Sequence, residues 1–206
     1  MIAIIDYNVG NVSAVANMLN RLGHECIITF NSDDIERAHK IILPGNGSFD
    51  TCMKNLRNTN LIPLLEKKVL KNLTPLLGIC VGAQMLGYSS EEGEESGLGW
   101  LDMTVKRLPE VEGLRVPNMG WRSITTTFKN HYLLKDIEKD AKFYFVHSYY
   151  MNPTFQKNIL MTSSFGFFFA AAVVQKNIIG LQFHPEKSHR YGKQLLSAFA
   201  SGDLIE

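Results

Sequence analysis

The chain of 206 residues lacks most of the features that mark a specialised environment. Its three cysteines, Cys26, Cys52 and Cys80, form no CxxC pair, which removes zinc-ribbon and thioredoxin-like readings. An odd count with no secretory leader points to free thiols in a reducing, cytoplasmic setting. No apolar run approaches the roughly 18 residues of a membrane span, and the stretch 165–174 falls short of it. An excess of one charge is missing too. Against 21 basic residues stand 20 acidic ones, a balance that gives no footprint for nucleic acid or another polyanion. There is no Walker A loop, no true GxGxxG, no repeat and no low-complexity segment. The acidic stretch Glu91-Glu92-Gly93-Glu94-Glu95 lacks EF-hand spacing and a nearby histidine, so it reads as a solvated loop. Neither metal nor cofactor is expected.

What remains is an ordinary globular composition, 45% apolar and 20% charged, of a size that suits one domain with a real core. β-branched runs at 1–5, 26–30, 40–43 and 75–80 alternate with helical patterns at 12–22, 33–38, 49–56 and 61–70. In 12–22, Val15, Met18, Leu19 and Leu22 recur at helical spacing after Gly10-Asn11, and Gly23 ends the run. Alternation with short turns predicts an α/β fold whose mostly parallel central sheet is covered by helices on both faces. From Leu101 the texture changes to short β-like runs at 103–107, 123–127 and 143–146, a smaller β-rich insertion in the second half. A last strand over 178–181 and an amphipathic helix over 192–199 close the chain.

Two places carry chemistry. Gly78-Ile79-Cys80-Val81-Gly82 sets a cysteine between a buried strand and the helical run Ala83-Gln84-Met85-Leu86. Such an elbow presents a nucleophile outward, with backbone N–H groups and a helix dipole favouring thiolate. Cys26 and Cys52 read instead as packing residues. The second place is His184-Pro185-Glu186 after strand 178–181. In an extended segment His184 and Glu186 share a face, and Pro185 biases His184 toward that geometry. One imidazole nitrogen can then face the thiol while Glu186 holds the proton on the other. Cys80, His184 and Glu186 make a nucleophile, base and orienter.

The nine residues 78–86 and the pentapeptide His184-Pro185-Glu186-Lys187-Ser188 resemble the class I, or triad, glutamine amidotransferases. Within that family the chain looks most like the glutaminase subunits of imidazole glycerol phosphate synthase. Pro44-Gly45-Asn46-Gly47-Ser48-Phe49 is similar to the family's oxyanion loop, and Pro117-Asn118-Met119-Gly120-Trp121 to a middle signature. The resemblance implies attack of Cys80 on the side-chain amide of L-glutamine, giving an oxyanion, a thioester and ammonia. Two donors must meet that oxyanion. The N–H of Val81 is one, and the second is expected from Gly45, Asn46 or Gly47. Flanking glycines ease a peptide flip there, so a partner could complete the hole on demand. By resemblance Gln84 helps hold the substrate, and ammonia passes to a (β/α)8 cyclase subunit. Asn11, Asn118, Trp121 and Lys187 are expected at that interface.

The chain departs from the family pattern at three positions. Asn46 stands where Val is usual, Asn118 where His is usual and Arg122 where Asn is usual. Ser89-Ser90-Glu91-Glu92-Gly93 and Ser188-His189 are similar instead to paralogues that supply ammonia for bacterial surface sugars. That paralogue, a stand-alone cysteine hydrolase or peptidase, and a non-catalytic binding subunit are the competing readings.

Overall fold

The computed structural model describes residues 1–127 and 131–202. Eight strands form the main sheet in the order β2-β1-β3-β4-β12-β11-β10-β7. Its first five members are β2 (Cys26–Thr29), β1 (Ile2–Ile5), β3 (Lys40–Gly45), β4 (Leu76–Cys80) and β12 (Ile178–Leu181). They run parallel. Each of β1, β4 and β12 is buried along its whole length, which requires cover on both faces of the sheet. The parallel half is linked through α1 (Val12–Arg21), α2 (Ser32–Arg37), α3 (Phe49–Asn58), α4 (Ile62–Glu66) and the single turn α5 (Val81–Gln84). The last helix, α6 (His189–Ser201), packs beside α1, while α3 packs beside α5. Buried Leu195, Leu196 and Phe199 seat α6, each side chain contributing about 2 kcal/mol of apolar burial.

The second half departs from the expected insertion. β10 (Ile159–Ser164), β11 (Phe168–Gln175) and the short β7 (Thr125–Thr126) join the main sheet as an antiparallel wing on β12. Among the described residues, only β5 (Met103–Arg107) with β9 (Tyr149–Pro153), and β6 (Asn118–Ser123) with β8 (Lys142–His147), stand apart as two-stranded ribbons. The helical run expected over 61–70 begins as α4 but loosens into a π-turn at Lys67–Lys71. There buried Lys68 donates to the carbonyls of Glu36 and Ala38 at 2.7 and 2.9 Å. The core forms one continuous apolar cluster that includes Tyr7, Phe49, Phe143, Phe145, Phe183 and Phe199.

Nor is the acidic loop simply solvated. Glu92 accepts from the N–H of Phe49 at 2.9 Å, and Glu91 from that of Arg107 at 2.7 Å. Asp50 accepts from the N–H groups of Glu94 and Glu95 at 3.2 and 3.1 Å. Carboxylates here cap backbone donors, the first at the start of a helix where negative charge is favoured.

Candidate active site

Cys80 ends β4 with φ 53° and ψ −115°, a backbone conformation that costs a non-glycine residue about 1–3 kcal/mol. Its neighbours over-determine it. A Cβ on Gly82 would overlap the carbonyl oxygen of Leu43 and lie 2.9 Å from the carbonyl carbon of Pro44. The elbow therefore rests directly on the backbone of β3, in whose register Gly45 lies opposite Cys80. The helix beneath is a single turn, so the expected dipole is that of one turn only.

The charge beside the thiol comes from another direction. Backbone N–H of His184 donates to Tyr144 O at 2.9 Å, bridging the residue to β8. Ser188 Oγ donates to His184 O at 2.6 Å and accepts from Tyr144 N–H at 3.0 Å. Pro185–Lys187 form a 3-10 turn rather than the extended segment expected from sequence. Pro185 cannot donate to a strand ladder, and the carbonyl of His184 is already held by Ser188. The turn still brings Glu186 Oε1 to 2.8 Å from His184 Nδ1. Burial works against charge on this imidazole, but the neighbouring Cys80 and Glu186 outweigh it and lift His184 to about 10.

A cavity of about 340 Å³ opens onto these groups. Asn46, Gly47, Val81, Gln84 and Lys187 line it together with Cys80 and His184. Gly47 has φ +88°, which glycine tolerates freely. Asn46 is tied on two sides. Its Oδ1 accepts from the N–H of Gly10 at 3.0 Å, and its carbonyl accepts from Cys52 Sγ at 3.2 Å. Cys52 is buried, as expected of a packing residue, and burial pushes its thiol up to about 11. Cys26 is only partly buried. Gln84 Nε2 donates to Tyr149 O at 2.9 Å and lies 3.2 Å from Gln182 Oε1.

Of the residues expected at a partner interface, Lys187 reaches the cavity, whereas Asn11, Asn118 and Trp121 do not line it. Asn11 is the N-cap residue of α1, without a side-chain capping bond. Trp121 is 44% exposed and stacks on His189 at 5.3 Å. Lys187 is exposed at the cavity wall, 5.9 Å from the centroid of Tyr144. Asn118 is 0% exposed, and its side chain turns inward to His147 and Arg122.

Sequence reasoning passed over Glu92, Pro117 and His147, all of which line the cavity. His147 is buried, and that burial, helped by the positive charges of His184 and Arg122, lowers it to about 4 despite a hydrogen bond to Tyr149 O. In the sequence it lies in the family-like stretch 143–149, and its register in β8 puts it on the inward face with Phe143 and Phe145. Among the described residues no group of histidine, cysteine and carboxylates could hold a metal ion.

The family model "Glutamine amidotransferase class-I" matches residues 3–201. A Pseudomonas aeruginosa protein, "Imidazole glycerol phosphate synthase subunit HisH 2", is 46% identical, covering 97% of this chain and 98% of its own. A Methanococcus maripaludis protein of the same name matches equally, at 46% with the same coverage. "Imidazole glycerol phosphate synthase subunit HisH" of Bdellovibrio bacteriovorus is 42% identical over 97% and 99%. Among solved structures, "Structure of PurLQS from Thermotoga maritima" superposes with TM-score 0.75 at 18% identity, covering 96% of each chain. "Crystal structure of glutamine amidotransferase" gives 0.70 at 21%, covering 95% of this chain and 98% of that one. At those identities the two likenesses speak for the fold.

Proposed function

The chain belongs to the class-I glutamine amidotransferases, and from that premise we propose that it is the glutaminase subunit of an imidazole glycerol phosphate synthase. The observation that carries the reading is His184, hydrogen-bonded through Nδ1 to Glu186 and lining one cavity with Cys80. The histidine-pathway assignment rests on the names of the near full-length relatives.

Cys80 thiolate attacks the side-chain carbonyl carbon of L-glutamine. The oxyanion is met by the N–H of Val81 and a donor of the 45–47 loop. His184 gives its proton to the departing nitrogen, which leaves as ammonia, and a thioester remains on Cys80. Neutral His184 then takes a proton from water, whose oxygen attacks the thioester and releases glutamate. Glu186 keeps the imidazole in one tautomer throughout. The carboxylate of Glu92 at the cavity wall suits the substrate's α-ammonium group. No cofactor is required.

Ammonia then passes to a (β/α)8 cyclase subunit in a heterodimer. Exposed Met119 and Trp121 on β6, with Lys187 at the cavity wall, offer an apolar and cationic face for that partner. Among the described residues no helix is long and apolar enough to cross a membrane, and we read the chain as one cytoplasmic domain. A second acceptor, a surface-sugar synthase, is favoured at one point. Two residues that depart from the usual motif, Asn118 and Arg122, bond to each other at 2.9 Å as a matched pair.

The test is glutamate release from glutamine by the wild-type chain and by Cys80→Ala, alone and with the cyclase plus its nucleotide substrate. Cys80-dependent turnover that rises with the cyclase is expected. Turnover indifferent to the cyclase redirects the assignment to another acceptor, and turnover by Cys80→Ala overturns the mechanism.

A further inference from the structure

A chain of hydrogen bonds runs from β6 into the cavity, and its direction is set at one end. Arg122 Nε donates to Asn118 Oδ1 at 2.9 Å. A guanidinium can only donate, so the atom of Asn118 that faces it must be oxygen. The amide nitrogen of Asn118 therefore points the other way, to His147 Nε2 at 2.9 Å. An amide NH2 can only donate, so this ring nitrogen must be bare. The single proton of neutral His147 is left on Nδ1, which faces Tyr149 O at 2.9 Å. Tyr149 O thus accepts two bonds, from His147 and from Gln84 Nε2.

We propose that Arg122, acting through Asn118, is a positioning residue that fixes the tautomer of His147 and so holds the Tyr149 segment and Gln84 in place around the substrate. The proposal rests on the glutaminase reading of the cavity, since His147, Tyr149 and Gln84 all line it. Three features of the site support it. Each donor and acceptor along the route from Arg122 to Tyr149 O is matched, and Asn118 and His147 are buried, where a mismatched pair is costly. Arg122 is itself held over the ring of Phe165, 5.1 Å from its centroid, so its guanidinium has a fixed place. Finally, the charged groups around His147 come from two sides. Arg122 stands on β6 and His184 on the turn after β12, while Phe145 and Phe169 present uncharged rings.

Without the cation, only the bond from His147 Nδ1 to Tyr149 O opposes a turn of Asn118. Its oxygen would then face His147 Nε2, the proton would move to Nε2, and Tyr149 O would lose a donor. His147 would also take up a second proton more readily, placing a second cation in the cavity beside His184.

Arg122→Met removes charge and donor while keeping a long side chain, and Arg122→Lys restores both. The first readout is the pair of ring ¹⁵N shifts of His147, which needs no turnover. The wild type and Arg122→Lys are expected to show a bare Nε2, and Arg122→Met a protonated one. The second is the pH profile of glutamine hydrolysis. For Arg122→Met, KM is expected to rise about fivefold below pH 6, with kcat within twofold, and Arg122→Lys to stay near wild type. An unchanged His147 tautomer in Arg122→Met overturns the proposal, as does equal loss in both variants, which would make Arg122 a packing residue only. Asn118→Asp gives an independent check, because a carboxylate accepts only and must force the proton onto Nε2. A wild type that fails to hydrolyse glutamine sinks the functional reading instead, and leaves the ¹⁵N result to judge the relay.

Discussion

Gly45 and Gly82 meet backbone against backbone, with no room between them for a single methyl group. A Cβ on Gly45 would overlap the amide nitrogen of Gly82 and lie 2.9 Å from the carbonyl carbon of Val81. A Cβ on Gly82 would overlap Leu43 O. The contact clamps the elbow of Cys80 onto the end of β3, where the loop proposed to supply an oxyanion donor begins. Neither neighbour is a flexible side chain, since both are main chain, one in β3 and the other at the start of α5.

Gly82→Ala must therefore push the elbow away from β3. The overpacking costs about 1–3 kcal/mol, and a displacement near 1 Å at a reacting atom costs about 10²-fold in rate. Chemical denaturation should show that loss of stability with the circular dichroism of a folded chain. Glutamine hydrolysis should fall about a hundredfold. A variant as active as wild type would mean that the elbow has slack the close approach does not suggest.

Much of this arrangement was legible in the sequence, for local reasons. β1 to β4 and their helices are short apolar or amphipathic runs bounded by glycine, and Cys80 with Gly82 carries its own turn chemistry. The antiparallel wing was hidden. β11 reads Phe-Phe-Ala-Ala-Ala-Val-Val-Gln, with no alternation to follow and three alanines that favour strands poorly. β10 runs out into Thr-Ser-Ser. The cavity residues Glu92 and His147 were missed because their partners are distant in sequence. Glu92 binds the N–H of Phe49, and His147 binds Asn118. No window of ten residues contains either pair.

The two cavity histidines set opposite limbs of the stability curve. His184 is raised to about 10 from an ordinary 6.5, so its contribution is complete below pH 6.5 and is lost as pH rises through about 10. His147 is lowered to about 4, so its contribution is complete above pH 6.5 and is lost as pH falls through about 4. Each proton corresponds to a slope of up to about 1.4 kcal/mol per pH unit. Cys52, at about 11, adds to the alkaline limb only above its ordinary value of 9.0. Denaturation midpoints between pH 4 and 10 should therefore peak near neutrality. Glu186→Gln removes the charge that helps hold the proton on His184, and should flatten the limb between pH 6.5 and 9 while leaving the acid limb intact. Parallel alkaline slopes in the two proteins would show that the carboxylate does not hold that proton.

Asn46 offers a way to separate the oxyanion loop from the nucleophile. Its side chain binds Gly10 N–H and its carbonyl binds Cys52 Sγ, so both ends of the residue are restrained. Asn46→Val removes the first tether and keeps the second. Loss of a whole oxyanion donor costs about 10²–10³ in kcat. A donor that is merely less well held should cost nearer tenfold, with KM for glutamine within twofold. Alkylation of Cys80 by iodoacetamide forms no oxyanion and should proceed at the wild-type rate. An equal fall in alkylation would trace the defect to the thiol rather than to the loop.

The exposed end of β6 provides the last check, on the partner. Met119 and Trp121 are 59% and 44% exposed, on the face of β6 opposite to buried Asn118. Trp121 is held by His189 at 5.3 Å, in rings nearly parallel at 4°, and by the edge of Tyr144 at 6.1 Å. A large, exposed and pre-ordered aromatic side chain has the properties of an interface anchor. Trp121→Ala should weaken association with the cyclase by at least tenfold, which is 1.4 kcal/mol or more, when measured by titration calorimetry. Cys80 alkylation in the isolated chain should not change, because Trp121 does not line the cavity. Undiminished affinity would place the docking face elsewhere on the chain, with Lys187→Ala as the next substitution to test.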